Sequence, residues 1–273
     1  MLREITLGQY YPVDSVLHRM DPRTKLLGTL LFIISLFCTD SFLGYGAAAL
    51  FLAVTIKLSK VPFKFMVRGL KAVLVLLLIS VSFNLFLTPG TAIFQLGFLK
   101  ITWEGLRTAV FMALRLVFLV LGSSVMTLTT TPNELTDGLE KGLGFLKKVG
   151  VPVHEVAMMM SIALRFIPIL IEEADKIMKA QMARCADFES GNIIQRAKAM
   201  IPILVPLFVS AFRRANDLAM AMEARCYHGG EGRTKMKPLK YKTRDRMAYI
   251  ITVVYVAAVF AAGRFVDFKL WIF

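Results

Sequence analysis

The sequence predicts an all-α integral membrane protein, with about five transmembrane helices and a cytoplasmic domain of long amphipathic helices. Three observations lead there. Of 273 residues, 56% are hydrophobic and 19% charged, more apolar surface than a soluble domain usually buries. The formal net charge of +14 has to collect in loops, because each Lys or Arg at the centre of the hydrocarbon costs roughly 2.5 to 3.5 kcal/mol on insertion scales. Finally, the chain changes character after Thr131, where more than a hundred residues mix long apolar runs with dense charge and show no clean span. A soluble basic nucleic-acid binder is set aside because the aromatics sit in apolar runs rather than among the charges.

The amino-terminal stretch "MLREITLGQYYPVDSVLHRMDPRTK" is polar and has no apolar core beside a small-residue cleavage site, so the chain is expected to start at Met1 without a removable signal peptide. His18 and Asp21-Pro22-Arg23 read as caps and anchors of the first span rather than as substrate ligands. From Leu26 to Leu58 the only charges are Asp40 and Lys57, a length too great for one crossing and short for two. Basic residues precede it (Arg19, Arg23, Lys25) and follow it (Lys57, Lys60, Lys64), whereas "TDSFLG" between has none. A hairpin at 26–56 with both basic flanks in the cytoplasm satisfies that asymmetry.

A third span, 72–87, stops at Pro89-Gly90, and the segment from there to Arg107 is expected to face outside. The fourth, 108–129, carries Arg115 in mid-pattern; lipid does not tolerate it unpaired, so it packs against other helices or snorkels to an interface. These four spans make an amino-terminal membrane domain, 1–130.

Residues 131–235 read as a cytoplasmic domain of three helices. Thr131-Pro132-Asn133-Glu134 is a helix start, with Pro132 in the first turn where its missing N–H does no harm, and a short amphipathic helix runs from it to about Lys148. The second helix, Val153 to about Asp187, begins apolar ("VAMMMSIALRFIPILI") and ends charged ("EEADKIMKAQMARCAD"), with Pro168 expected to kink it. The third, Ile193 to about Tyr227, repeats that plan and places Phe212, Ala215, Ala219, Met222 and Cys226 on one face. The methionines of this region are ordinary core or a surface able to repack for varied partners. A basic juxtamembrane segment and a last span, 236–273, complete the chain, with the amino end of that span inside and the carboxyl terminus outside.

Both long helices end in Ala-Arg-Cys: Ala183, Arg184, Cys185 and Ala224, Arg225, Cys226. An Arg near a helix carboxyl end complements the dipole, which accounts for one copy better than for two. The alternative is partner docking. Small flanking residues let a backbone approach, and a guanidinium makes a forked bond to carboxylates or groove carbonyls. Asp187 and Glu223 either support the two arginines or only solvate the helix tips.

Other chemistries find little material. The spans offer Ser80, Ser82, Asn84, Ser123 and Ser124 but no His, Asp or Glu, short of what a membrane enzyme needs. Three cysteines (Cys38, Cys185, Cys226) form no CxxC pair, and Cys185, Cys226 and His228 are a weak zinc set. No GxxxxGKS/T loop is present, so energy has to come from a partner. A stand-alone permease would need charged groups at mid-membrane, where only Arg115 stands.

Through "GQYYPVDSVLHRMDPRTKL", the paired Ala-Arg-small motifs and the order of spans, long helical domain and last span, nearly the whole chain resembles the EcfT family, the transmembrane subunits of energy-coupling factor (ECF) vitamin transporters within the ABC transporters. The resemblance implies a non-catalytic coupling subunit of a prokaryotic plasma membrane, with its amino terminus in the cytoplasm. Arg184 and Arg225 would each dock into a groove on one of two cytoplasmic ABC ATPase subunits. ATP-driven closure of those subunits would move the coupling helices and reorient a small membrane substrate-binding (S) subunit, one or several in kind. ATP and Mg would be bound by the partners, with no cofactor or metal in this chain and no nucleic-acid partner. The family typically has Gly, Ala or Ser after the Arg; both positions here are Cys.

Overall fold

In the computed structural model residues 9–89, 92–96, 99–186, 188, 192–230, 236 and 238–272 are described. Helix α1 (Pro22–Phe37) starts as its sequence dictates: the Asp21 side chain accepts from the Arg23 N–H at 3.0 Å and Pro22 occupies the first turn, where a fixed φ suits the helix. Ser41 opens α2 (Phe42–Ser59) in the same manner, accepting from Gly44 N–H. Helix α3 (Phe63–Leu87) is bent by 59° between Phe63–Lys71 and Val73–Phe86, so its basic first arm turns away where the apolar run begins.

A short antiparallel hairpin, β1 (Ala92–Leu96) and β2 (Leu99–Thr102), follows and is the one pair of strands among the described residues. Thr102 joins it to α4 (Trp103–Thr129), accepting from Gly105 N–H at 3.1 Å and donating to the Thr88 carbonyl at 2.9 Å. A reciprocal capping box at Thr131 and Glu134 starts α5 (Pro132–Gly142). The helix expected to reach Lys148 is broken at the Gly142 to Gly144 stretch, and a 3-10 helix, Gly144–Val149, carries the chain to Gly150 in the left-handed region. Helices α6 (Val153–Met182), α7 (Ile193–Glu223) and α8 (Thr243–Ile272) complete the order. Pro168, Pro202 and Pro206 lie within unbroken helical segments.

The chain divides into two compact units, Gly8–Gly138 with Leu239–Phe273, and Leu139–Pro238. In the first, α8 packs on α1 and α2, and α4 packs on α1, α2 and α3. Phe32, Phe51 and Tyr255 stack at its centre beside Leu36, Leu52 and Val125, and the Tyr255 hydroxyl is bonded to Ser35 at 2.7 Å.

Arg115 has the partners that a mid-pattern arginine requires. Its Nε donates to the Leu36 carbonyl and to the Tyr45 hydroxyl, both at 3.1 Å, and Nη2 donates to the Thr39 carbonyl at 3.4 Å and to Asp40 at 3.1 Å. Leu36 belongs to the last turn of α1, whose carbonyls have no helical partner, so the guanidinium closes the α1 carboxyl end. Arg115→Leu is expected to cost about 1 to 3 kcal/mol, read as a lowered unfolding temperature in detergent. A variant that melts with the wild-type chain would make those bonds dispensable.

Among the described residues five helices are long and apolar enough to cross a membrane: α2, α4, α6, α7 from Ile194, and α8 to Arg264; a bent α3 counted as one span would be a sixth. The number agrees with the sequence, but the membership differs. Helix α1, at 16 residues, is shorter than a full crossing of about 20. Helices α6 and α7 qualify although no clean span was expected within 131–235, because an amphipathic helix with one continuous apolar half contains a window as greasy as a span.

Candidate functional site

Helices α6 and α7 pack together as an antiparallel pair. Glu173 on α6 accepts from the Ser210 hydroxyl at 2.5 Å and from Arg214 at 2.7 Å on α7. Eight residues further along α6, Gln181 Nε2 donates to the Pro202 carbonyl at 3.4 Å, eight residues back along α7. The Pro202 carbonyl is the one that Pro206 leaves without an N–H four residues later, so Gln181 supplies the missing donor. At the other end His154 Nδ1 is bonded to Glu140 at 2.9 Å, and a Cβ on Gly230 would collide with the His154 ring. Progress along one helix is thus matched by retreat along the other.

The inner stripe of α7 is Ile203, Leu207, Ser210, Arg214, Leu218 and Met222, buried or half-buried at steps of three and four. The apolar face expected from Phe212, Ala215, Ala219, Met222 and Cys226 lies mostly outside it: all but Met222 are exposed. It continues into Ile201, Leu204, Val205 and Phe208, each more than half exposed. Met159, Met160, Met182 and Met220 are exposed as well, so these methionines are surface rather than core.

Both Ala-Arg-Cys motifs fold identically. At the end of α6 the Cys185 N–H donates to the Met182 carbonyl at 2.9 Å and the Ala186 N–H to the Gln181 carbonyl at 3.0 Å. At the end of α7 the Cys226 N–H donates to Glu223 at 2.8 Å and the Tyr227 N–H to Met222 at 3.1 Å. This pair of bonds is the Schellman helix ending, which needs a left-handed residue just past the cap. Cys185 and Cys226 supply it at φ 65° and 53°. Each motif Arg is therefore the last residue before the chain reverses.

Ala183, Arg184 and Cys185 are all exposed, as are Glu223, Ala224, Arg225 and Cys226. Among the described residues neither guanidinium has a hydrogen bond or an ion pair. Glu223 likewise supports neither arginine, and Asp187 lies outside the described residues. Because the helices run antiparallel, the two tips point to opposite ends of the pair. Arg184 stands 11 residues beyond Glu173 and Arg225 15 residues beyond Ser210, which at 1.5 Å per residue sets them no more than roughly 40 Å apart. Among the described residues no group of three metal-ligating side chains is gathered, so Cys185, Cys226 and His228 are not brought together.

The left-handed cysteines carry a consequence for stability. A side chain at such a position costs about 1 to 2 kcal/mol, of which the flexibility of glycine in the unfolded chain gives part back. Cys185→Gly and Cys226→Gly should each stabilise the helix end by about 0.5 to 1 kcal/mol, seen as slower amide exchange in the last turn. Faster exchange would argue against the Schellman geometry.

Sequence reasoning overlooked the Glu173, Ser210 and Arg214 clamp and the Gln181 bond. The Pro202 to Pro206 spacing was the available signal, since a proline four residues on always orphans a carbonyl.

The cobalt transport protein family, CbiQ, matches residues 14–236. Relatives with the name energy-coupling factor transporter transmembrane protein EcfT cover nearly the full chain. That from Clostridium kluyveri is 56% identical over 258 residues, 94% of this chain and 96% of the relative. That from Heliobacterium modesticaldum is 49% identical over 271 residues, 99% and 98% of the two chains. The Bacillus subtilis protein is 48% identical over 261 residues, 95% and 98%. Candidate membrane spans and these similarities agree: the chain belongs to the EcfT transmembrane proteins of the CbiQ family and is a membrane component of an energy-coupling factor transporter.

Proposed function

We propose that this chain is the scaffold and coupling subunit of its transporter, carrying ATP-driven movement from two cytoplasmic ABC ATPase subunits to a separate membrane S subunit for uptake of a vitamin or trace nutrient. The observation that carries this is the repeated tip: two helices of one antiparallel pair end in the same turn, each presenting an exposed Arg that has no partner among the described residues, at opposite ends. One tip then serves one ATPase subunit. Arg184 and Arg225 enter the grooves, with Ala183, Cys185, Ala224 and Cys226 allowing close approach. ATP and Mg stay with those subunits, and this chain is non-catalytic.

The exposed apolar face of α7, from Ile201 to Phe212, is where the S subunit rests, and its methionine neighbours suit exchange between several such subunits. We place 1–130 and 236–273 in a prokaryotic plasma membrane and 131–235 on the cytoplasmic side, with the amino terminus inside and the carboxyl terminus outside. The test is reconstitution in proteoliposomes. Uptake should require this chain, both ATPase subunits and an S subunit together with ATP. Uptake by the chain alone would instead establish a permease.

A further inference from the structure

Among the described residues the chain passes between its two compact units twice, at Gly138 to Leu139 and at Pro238 to Leu239. Both passages are held, on the side of the membrane unit, by the same two residues. Gly138 is buried, and a Cβ there would lie 2.9 Å from the Pro22 Cβ and 3.3 to 3.4 Å from the backbone of Pro22 and Arg23, so only glycine allows the contact. On the return passage Arg23 Nη2 donates to the Leu239 carbonyl at 3.4 Å, and its guanidinium carbon stands 4.9 Å from the centre of the Tyr241 ring.

The Pro22-Arg23 seat is itself fixed to two helices. Asp21 caps α1 through the Arg23 N–H, while its own N–H donates at 2.8 Å to Asp245, which is 2% exposed. The other oxygen of Asp245 accepts from Lys242 N–H at 2.8 Å, at the start of α8. Whatever pulls on Gly138 or Leu239 therefore acts on the starts of α1 and α8 together. Those helices pack on each other through the Ser35 to Tyr255 bond.

We infer that Pro22-Arg23 is the mechanical seat for both passages, and that Arg23 is a positioning residue which keeps movement of the Leu139–Pro238 unit from being lost in slack chain. This rests on the coupling reading above. A residue of this kind acts far from the chemistry, and its loss separates hydrolysis from the work done.

The test compares wild type, Arg23→Gln and Tyr241→Leu, each purified as the full transporter with its ATPase and S subunits in proteoliposomes. ATP hydrolysis and substrate uptake are measured side by side. Tyr241 is 49% exposed, so that variant retains its fold if Arg23→Gln does not. The inference predicts ATPase binding and hydrolysis near wild type, with substrate carried per ATP lower by roughly five-fold or more, the size of an ordinary coupling between sites. Unchanged uptake per ATP, or hydrolysis and uptake falling in step, overturns it. Failure of the wild-type assembly to show ATP-driven uptake would instead refute the coupling function itself.

Discussion

Arg184→Glu combined with Arg225→Glu is expected to release both ATPase subunits from an otherwise folded chain. Each guanidinium is exposed and, among the described residues, unpartnered, so its removal costs this chain no internal bond. The penalty falls on the complex. A buried, hydrogen-bonded charge truncated at an interface costs about 2 to 5 kcal/mol, which is roughly 30-fold to several-thousand-fold in affinity, and reversal adds repulsion from the groups that received the cation. Because the tips point to opposite ends of the α6 and α7 pair, the single variants should each lose one ATPase subunit and keep the other. Pull-down in detergent with native mass measurement distinguishes these cases. Retention of both ATPases by the double variant would remove the tips from the interface.

Asp245→Ala is expected to damage the unit formed by Gly8–Gly138 and Leu239–Phe273 more than other single changes outside its apolar core. One nearly buried carboxylate accepts both the Asp21 and Lys242 N–H groups, and alanine strands the two donors at the starts of α1 and α8. Unsatisfied buried donors cost about 1 to 3 kcal/mol each, so a total of about 2 to 6 kcal/mol is expected as a lowered unfolding temperature and a loss of monodisperse protein. Asp245→Asn keeps one acceptor oxygen and should fall between. A stable alanine variant would mean that water reaches these donors.

Features governed by local chemistry were legible in the sequence. The Asp21 cap, the Pro22 start and the Thr131 with Glu134 box follow from side chains bonding within one turn of backbone, and all three are present. The need of Arg115 for a partner was legible too, but not that Leu36, Thr39, Asp40 and Tyr45 would meet it, since they lie some 70 to 79 residues away. The site divides in the same way. The repeated Ala-Arg-Cys was readable as two helix tips, whereas its left-handed turn was hidden because the usual signal, glycine, is replaced by cysteine. The opposition of the tips was not readable either. It depends on Glu173 finding Ser210 and Arg214, and in sequence these look like ordinary solvated charges. The β1 and β2 hairpin escaped notice because its strands are too short to outweigh the apolar segment around them.

Three native cysteines allow docking at the two helix tips to be measured by crosslinking. Cys185 and Cys226 are exposed beside the two motif arginines, and Cys38 is exposed near the α1 carboxyl end as an internal control. Single-cysteine versions carrying a thiol-attached photo-crosslinker would be illuminated in the assembled transporter and the linked partner identified by mass. Docking of one ATPase subunit at each tip predicts an ATPase adduct from Cys185 and another from Cys226, with none from Cys38. Absence of ATPase adducts from both tips, in a complex that still contains the ATPases, would contradict it.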